Sequence, residues 1–265
     1  MAFDFHEERA VYFKQQFEHS RDYIIPFVEG LLSKKKPLNI CEVGSAEAGV
    51  LKAFTDLGHH GIGIELSEAK VKRAQNFMAE ELEQGNVRFY HRDIHTISKE
   101  ELGFGFDLII LKDVIEHVHD QESMLIRLKS LLNEEGIIFI GMPPWNMPFG
   151  GHQQMLSHKW LSKLPYFHIL PRGLYKKMMQ WGQEKPEVIE SQLEIKETQI
   201  SINRFYKITK KSGLKVLRKQ LYFINPNYKY KFGLKPRKQA RLIAALPYIR
   251  DFVSTTGYFI LGKKI

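Results

Sequence analysis

The chain has 265 residues, of which 43% are hydrophobic, so it is long enough to bury one large core. No apolar run approaches the length of a transmembrane helix, and the acidic, polar N-terminus MAFDFHEERA does not match a secretory signal. The single cysteine, Cys41, excludes a disulfide framework and a zinc cluster, so a reducing cytoplasm is the expected location.

The charge is distributed unevenly along the chain. Residues 1–150 carry 16 Lys and Arg against 24 Asp and Glu, or −8, whereas residues 151–265 carry 23 against 6, or +17. A strongly basic half is typical of a surface that contacts a phosphate backbone, an anionic membrane or an acidic substrate. A solvated, lysine-rich surface without a partner is the alternative interpretation.

The N-terminal part has helix-forming composition. We predict a helical segment over residues 7–33, which Pro26 kinks or divides, followed by a loop at residues 33–37. We expect this N-terminal helical cap, residues 1–36, to cover a ligand cleft.

From residue 38 onward, apolar runs alternate with helical patterns. Strands are predicted at 38–43, before Glu65, at 87–91, at 106–111 and at 136–141, with helices at 50–57, 67–84 and 121–132. Alternating strands and helices predict an α/β protein with a doubly wound sheet, which binds ligands at the carboxyl ends of its strands.

Two glycines bracket the turn after the first predicted strand. Gly44 and Gly49 stand where a backbone bends sharply or lies flat against a ligand, because a Cβ there would clash. Glu65 ends the second strand, about twenty residues on, where a carboxylate can accept hydrogen bonds from both ribose hydroxyls. The pattern indicates a nucleotide-binding βαβ unit. Ordinary turn glycines and a Glu65 that serves only the next helix are the structural alternatives.

The turn departs from the dinucleotide-binding fingerprint. Ala46 and Ala48 stand where further glycines would complete G-x-G-x-x-G, the spacing that seats a pyrophosphate on a helix N-terminus. Glu42 adds a negative charge just before the turn, which is unfavourable beside a pyrophosphate and favourable beside an ammonium group. The implied ligand is therefore a nucleoside that carries an amino acid.

Four motifs, taken in order, resemble those of class I S-adenosylmethionine-dependent methyltransferases. They are E-V-G-x-A-x-A-G, Glu65, Arg92-Asp93-Ile94 and Asp113-Val-Ile-Glu-His-Val118. The resemblance covers residues 38–142 and the final strand, and FDLIILKDVIEHV is similar to the small-molecule branch that includes ubiquinone-pathway O-methyltransferases. It implies a seven-stranded, doubly wound and mostly parallel Rossmann-like sheet with helical lid insertions.

The resemblance also implies which residues hold S-adenosylmethionine. The glycine turn would hold the methionine part, Glu65 the ribose and Asp93 the adenine amino group, although Asp93 is also placed to cap the turn before Ile94. Lys112 would neutralise a phenolate or contact the cofactor, with a solvent-facing side chain as the alternative. The complete expected set is Glu42, Gly44, Ser45, Ala46, Gly49, Glu65, Leu66, Asp93, Ile94 and Lys112.

The chain changes character after residue 142. Several prolines and Gly150-Gly151 lie in residues 143–200, which we interpret as an inserted lid that binds the acceptor. Its basic, amphipathic stretch at 166–181 is suited to a membrane interface, to the roof of an apolar pocket, or to an ordinary helical cap. The resemblance implies a cofactor-binding half at 37–142 and the rest of the core at 201–265, with a helix at 201–211, strands at 214–224 and 257–264, and a basic insertion at 225–254.

Methyl transfer to a hydroxyl requires a base, and three histidines are candidates. His152 begins the lid just after the fifth strand, and its ordinary pKa lies near neutrality. His117 and His119 follow the fourth strand, near the expected position of the methyl group. A His152 that only binds a backbone carbonyl is the alternative.

A metal site is a weaker hypothesis. If residues 113–117 form a helical turn, Asp113, Glu116 and His117 share one side. The resemblance to ubiquinone-pathway enzymes allows a divalent metal at these three residues, but we expect none.

Together these features predict a methyltransferase that uses S-adenosylmethionine to methylate a small, lipophilic or aromatic acceptor, most readily on oxygen. An RNA methyltransferase that binds nucleic acid through its basic C-terminal half is one alternative. A non-catalytic cofactor-binding protein of the same fold is another. Peripheral contact with an anionic membrane surface is a further expectation.

Overall fold

The computed structural model describes residues 9–33 and 37–264, which form one eight-stranded sheet with helices on both faces. The strands are β1 Asn39–Val43, β2 His60–Glu65, β3 Val87–His91, β4 Phe106–Lys112, β5 Leu132–Met142, β6 Leu214–Ile224, β7 Arg237–Lys238 and β8 Thr256–Lys263. Their order is β3-β2-β1-β4-β5-β8-β6-β7. The first five are parallel, whereas β8 runs antiparallel to β5 and to β6. The predicted α/β class and mostly parallel sheet are confirmed.

Helices cover both faces because the central strands are apolar on both sides. The α-helices are α1 Arg9–His19, α2 Ile25–Val28, α3 Gly49–Thr55, α4 Glu68–Phe77, α5 Ala79–Glu83, α6 Lys99–Leu102, α7 Gln121–Leu131, α8 Arg172–Trp181, α9 Pro186–Thr198, α10 Ile202–Lys211, α11 Tyr228–Phe232, α12 Arg241–Ala245 and α13 Ile249–Val253. Side chains of α7 and α10 pack on one face. Those of α3, α4 and the N-terminal helices pack on the other.

The N-terminal segment is helical from residue 9 to residue 31, two residues short of the predicted end, and changes type along its length. α1 is followed by a π-helical turn, Ser20–Ile24, then by α2 and a 3₁₀ turn, Glu29–Leu31. Pro26 lies in the first turn of α2, where its missing N–H is not needed for a helical hydrogen bond. Residues 7 and 8 of the predicted helix and residues 34–36 of the predicted loop lie outside the described residues.

Three elements differ from the sequence-based expectation. The helix predicted at 67–84 is divided at Met78, whose backbone is not helical (φ −117°, ψ 35°). β5 begins at Leu132, four residues early, because Leu132 pairs with Phe106 of β4, and the register then shifts over the polar residues 133–136 before pairing resumes at Ile137. β7 adds an eighth strand of two residues, too short to show any periodic pattern.

The stretch at 143–200 has a small apolar cluster of its own beside the main core. It contains 3₁₀ turns and the helices α8 and α9, and its buried side chains are Leu156, Leu161, Phe167, Tyr175, Met179, Ile189 and Leu193. Within the described parts of the chain, every helix is too short or too polar to cross a membrane.

Candidate functional site

The carboxyl ends of β1, β2 and β4 lie side by side and bring three charged residues to one edge of the sheet. Glu42 lies near the end of β1, whereas Glu65 and Lys112 are the last residues of β2 and β4. Parallel pairing of these strands places their ends together although the residues are far apart in sequence. This is the edge at which ligands bind in open α/β sheets.

The turn after β1 is held tightly between neighbouring elements. Gly44 has a φ of +69°, and a Cβ there would lie 2.6 Å from a methyl group of Val114. The N–H groups of Gly44 and Ser45 donate to the Ile64 carbonyl at 2.8 and 3.3 Å. Gly44 is therefore required both by its left-handed backbone and by the closeness of the loop after β4.

Two alanines in the same turn have left-handed backbones, with φ of +46° at Ala46 and +65° at Ala48. This conformation is strained for a residue with a Cβ and persists only where surrounding contacts impose it. One such contact is visible, because the Ala46 N–H donates to Oε2 of Glu65 at 3.1 Å. The turn thus adopts the shape of a glycine-rich loop although alanines occupy two of its left-handed positions.

Glu65 is buried and bonded on both sides. Its Oε1 accepts from the Ser67 N–H at 3.0 Å, and the Lys70 ammonium lies 3.8 Å from Oε2. The local role at the start of α4 is therefore real. Each carboxylate oxygen can accept more than one hydrogen bond, so two ribose hydroxyls can still bind there.

Glu42 is 5% exposed and lies directly beneath the turn. Its Oε2 accepts from the Leu51 N–H at 3.1 Å, so it satisfies a free donor in the first turn of α3. Burial raises the pKa of the Glu42 carboxyl to about 8, although Leu51 and Lys112 act in the opposite direction. A cation placed beside Glu42 would restore its charge.

A small cavity of about 20 Å³ lies between this turn and α1. The N-terminal helix contributes Tyr12 and Gln16 to its lining, and burial raises the pKa of Tyr12 to about 12. Neither residue was predicted. Their spacing of four residues indicates a shared helix face, but nothing in the sequence tells which partner that face covers.

Gly49 lines the same cavity, and it also has a packing role. A Cβ at this position would lie 2.3 Å from the Phe13 carbonyl oxygen and 2.9 Å from the Cβ of Gln16. Gly49 therefore allows α1 to approach α3 at backbone distance.

Lys112 points into the cavity and not into solvent, so the solvent-facing alternative is wrong. Its side chain is 7% exposed, and Nζ lies 2.6 Å from Oδ2 of Asp113. Burial alone would lower the pKa of Lys112, but the Asp113 carboxylate outweighs it and raises the pKa. The ammonium is therefore charged at neutral pH.

Three further residues of the expected cofactor-binding set, Leu66, Asp93 and Ile94, occupy different environments. Leu66 is 70% exposed next to Glu65, which leaves an apolar side chain free for a flat ring. Asp93 caps the 3₁₀ turn Ile94–Thr96 by accepting from the His95 N–H at 2.9 Å. Ile94 is buried and belongs to the core.

A second cluster lies beyond β4 and joins residues that are distant in sequence. The rings of His117 and His152 meet edge to face with centroids 5.0 Å apart. With the Glu116 carboxylate they bring three polar atoms within 4.8 Å of one another. Both Glu116 oxygens are buried without a hydrogen-bond partner among the described residues. Three such groups can share a proton or offer ligands to a cation.

Burial sets the protonation of this cluster. It lowers the pKa of His152 to about 4, with help from His117, and it also lowers the pKa of His117. Burial and the nearby Asp113 charge raise the pKa of Glu116 well above its usual range. At neutral pH the two imidazoles are therefore uncharged and able to accept a proton.

Two candidates lie apart from this cluster. His119 is on the surface, with its side chain 60% exposed and 3.6 Å from Glu194. The Asp113 carboxylate pairs with Lys112 instead of joining Glu116 and His117. The third member of the cluster with Glu116 and His117 is therefore His152, and not Asp113 as the sequence suggested.

A family model described as "Methyltransferase domain" matches residues 34–213. No curated protein sequence matches the chain closely enough to count as a relative.

Several solved structures share the fold. A putative sarcosine dimethylglycine methyltransferase from Galdieria sulphuraria has a TM-score of 0.60 at 10% identity, covering 93% of this chain and 86% of that one. An S-adenosylmethionine-dependent methyltransferase from Clostridium acetobutylicum ATCC 824 has a TM-score of 0.58 at 10% identity, covering 98% and 97%. The magnesium protoporphyrin IX methyltransferase of Synechocystis PCC 6803 with bound SAH has a TM-score of 0.54 at 16% identity, covering 99% and 88%.

The family match spans more than half of the chain, and it agrees with the strand order and with the turn built around Gly44. The protein therefore belongs to this methyltransferase domain family, and it has the fold of S-adenosylmethionine-dependent methyltransferases.

Proposed function

We propose that this protein transfers a methyl group from S-adenosylmethionine to an oxygen atom of a small, lipophilic or aromatic acceptor. The observation that carries the proposal is the pair of uncharged imidazoles of His117 and His152, 5.0 Å apart. His117 lies five residues after Lys112, which lines the cavity beside the glycine turn. The charge of Asp113, which pairs with Lys112, acts on both imidazoles, so a proton acceptor stands near the end of the site that would hold the methyl donor.

The residues of the turn fit the cofactor. Glu65 has free lone pairs for the ribose hydroxyls, and Glu42 is a buried carboxyl that an ammonium group would ionise. Exposed Leu66 and the second oxygen of Asp93 are suited to the adenine ring and its amino group. The cavity of about 20 Å³ is smaller than a methionine chain, so Tyr12 and Gln16 must shift on binding.

The chemistry required of the protein is modest. When bound, S-adenosylmethionine supplies a methyl group that the sulfonium already activates. The protein then has to position the acceptor against this methyl group and to exclude water. His152 would accept the proton of the acceptor hydroxyl, and the bound cofactor would supply the methyl group, with its bond to sulfur broken, and leave as S-adenosylhomocysteine. The Glu116 carboxyl, whose pKa is raised by burial, lies within 4.8 Å of the imidazole. Lys112 is charged and can stabilise an acceptor with phenolate character.

Two observations support a lipophilic acceptor. The segment at 143–200 has an apolar cluster of its own, and it is joined to His152 because the Gln192 amide of α9 donates to the His152 backbone carbonyl at 3.3 Å. The motif FDLIILKDVIEHV is similar to ubiquinone-pathway O-methyltransferases, which act on aromatic hydroxyls. Similar folds include the magnesium protoporphyrin IX enzyme and, at a TM-score of 0.51, mitomycin 7-O-methyltransferase.

The first experiment is a calorimetric titration with S-adenosylmethionine and S-adenosylhomocysteine, with and without Mg²⁺. Binding in the micromolar range supports the cofactor assignment. If Mg²⁺ also increases acceptor-dependent turnover, this result would assign a cation to the Glu116, His117 and His152 cluster.

The second experiment is a screen of phenols, quinols and lipid alcohols, with formation of S-adenosylhomocysteine as the readout. Turnover with one class identifies the acceptor. Cofactor binding without turnover on any of these, combined with salt-sensitive RNA binding and RNA methylation, would overturn the small-molecule proposal in favour of the RNA alternative.

A further inference from the structure

An unbroken run of apolar side chains is exposed in the second insertion, between α12 and α13. All five residues from 245 to 249, Ala-Leu-Pro-Tyr-Ile, are exposed, and the nearby Leu242 is 84% exposed. We call Leu242 and residues 245–249 the apolar tip. Soluble proteins rarely expose consecutive apolar residues without a function for them.

The tip is built around a strained turn. Tyr248 has φ +67° and ψ −53°, and the Ile249 N–H donates to the Pro247 carbonyl at 2.8 Å. This is a γ-turn of the rare, strained kind, and it leaves Tyr248 72% exposed. Strain of this kind persists only where other contacts maintain it.

Those contacts lie directly beneath the tip. The buried Asp251 accepts from the Ile202 N–H at 3.0 Å, at the start of α10. The Arg250 guanidinium donates to Asn203 and lies 5.2 Å from the centre of the Tyr206 ring. The polar half of α13 thus fastens the segment to the core, and the apolar half is held outward.

An open apolar groove of about 370 Å³ lies next to α13. It is lined by Tyr166, Ile169, Leu170, Pro171 and Phe252. The Tyr166 hydroxyl donates to the Phe252 carbonyl at 3.0 Å, which joins the 143–200 segment to the second insertion. Phe252 lies one helical turn after Ile249, so tip and groove form one apolar surface.

The surroundings of the tip are strongly basic. Residues 225–254 contain seven Lys and Arg and a single acidic residue, Asp251, which is buried. Six of these basic residues are exposed, and one of them, Lys229, pairs with Asp22. Four of the exposed ones lie at 235–241 and form no ion pair within the described residues. These four, which we call the basic rim, are Lys235, Arg237, Lys238 and Arg241.

We propose that this surface docks the protein on an anionic lipid bilayer, with the apolar tip inserted at the interface and the basic rim on the lipid phosphates. Aliphatic and aromatic side chains flanked by Lys and Arg are the combination that interfacial binding requires. RNA fits less well, because aliphatic Leu and Ile offer neither stacking nor hydrogen bonds to bases. A second copy fits less well, because a two-fold contact would oppose two basic rims.

The test is co-sedimentation of the full chain with vesicles of phosphatidylcholine alone and of phosphatidylcholine mixed with phosphatidylglycerol. We expect binding to the anionic vesicles only, weakened by salt. The double variant Leu242→Asn with Ile249→Asn should bind at least tenfold more weakly, because the inserted apolar area is removed. Arg237→Glu should weaken binding severalfold, because each Lys or Arg near an anionic membrane surface increases the affinity about fivefold.

Matched controls lie on other surfaces. Leu57→Asn with Ile126→Asn removes one exposed Leu and one exposed Ile away from the tip, and Arg88→Glu reverses an exposed arginine on β3, at the opposite edge of the sheet. Both should bind vesicles as the parent protein does. Thermal unfolding and cofactor affinity show that every variant is folded, and these readouts are independent of the acceptor.

Three results would overturn the proposal. The parent protein stays in solution with both kinds of vesicle; the tip double variant sediments as well as its control; or the tip variant instead abolishes a dimer seen by analytical ultracentrifugation. RNA binding that Arg237→Glu removes, without vesicle binding by the parent protein, would assign the basic rim to nucleic acid.

Discussion

Glu65 and Ala46 are 19 residues apart in the chain, and the Glu65 carboxylate accepts a hydrogen bond from the Ala46 N–H at 3.1 Å. The same carboxylate thus holds the strained cofactor turn and, in our proposal, the cofactor ribose. Shape of the turn and affinity for the ligand are coupled through one side chain.

Replacing Glu65 should therefore weaken cofactor binding. For Glu65→Ala we expect a loss of about 1 to 3 kcal/mol, because charge-assisted hydrogen bonds are removed and the turn is released. Glu65→Gln keeps one acceptor oxygen and should lose less. Calorimetry with S-adenosylhomocysteine measures both, with Glu68→Ala as the control, because Glu68 is exposed and pairs only with Lys72. Unchanged affinity in Glu65→Ala would remove the ribose role.

Cofactor binding should become tighter as pH rises from 6 to 7.5. Burial raises the pKa of Glu42 to about 8, so the free protein holds this carboxyl largely protonated in that range. An ammonium beside Glu42 lowers its pKa, so binding releases a proton, and affinity increases by up to about tenfold per pH unit. The range stays below the pKa of an α-amino group, about 7.7 to 8.0.

Calorimetry in two buffers of different ionisation enthalpy counts the protons released. Glu42→Gln keeps an acceptor for the Leu51 N–H but cannot ionise, so the pH dependence should disappear. A slope in Glu42→Gln equal to that of the parent protein would show that another group titrates.

His152→Ala should reduce turnover about 10²- to 10⁴-fold without changing cofactor affinity, because a general base contributes that much to rate. The acid limb of kcat/KM should have its midpoint nearer 4 than the ordinary 6.5, since the pKa of His152 is lowered to about 4. His119→Ala is the control, because His119 is exposed beside Glu194. Full activity in His152→Ala would direct attention to His117.

Gly49→Ala should destabilise the fold. The new Cβ would lie 2.3 Å from the Phe13 carbonyl oxygen, so α1 must move away, at a cost of about 1 to 3 kcal/mol. Gly173→Ala on α8 meets no atom within 4 Å and should be neutral or stabilising by up to about 1 kcal/mol. Urea unfolding compares the two. Equal stability of Gly49→Ala and the parent protein would mean that α1 is not firmly packed on α3.

The protein should lose stability in acid through its buried histidines. His168 is fully buried, binds the Trp145 carbonyl through Nε2 at 2.7 Å, and has a pKa lowered to about 4 by burial. Between pH 6.5 and 4 the unfolded chain binds a proton that the folded chain does not. The free energy of unfolding therefore decreases as the pH is lowered, by up to about 1.4 kcal/mol per pH unit. Urea unfolding at several pH values in this range gives the free energy of unfolding of the parent protein and of His168→Gln. This free energy should depend less steeply on pH in the variant. Parallel slopes would exclude His168 as the source.

The layered fold and most of the turn after β1 could be predicted from local sequence patterns. Strand and helix periodicities are local features of the sequence. Glu42, Gly44 and Glu65 lie within or directly after strands that these periodicities predict, so their positions at the strand ends follow from the same patterns. For this reason β3 was predicted residue for residue, and the α/β class is confirmed. The bounds of β6 also agree with the prediction, but they came from the family resemblance. The periodicity does not extend to β7, because two residues cannot show a pattern.

Only the tertiary structure decided which distant residues meet. His152 lies 35 residues after His117, and the path of the 143–200 segment brings their rings together while leaving His119 in solvent. Tyr12 reaches the cavity because Gly49 admits the backbone of α1. Such contacts depend on how loops close and which helix faces pack, and these are properties of the whole chain that no local window of sequence encodes.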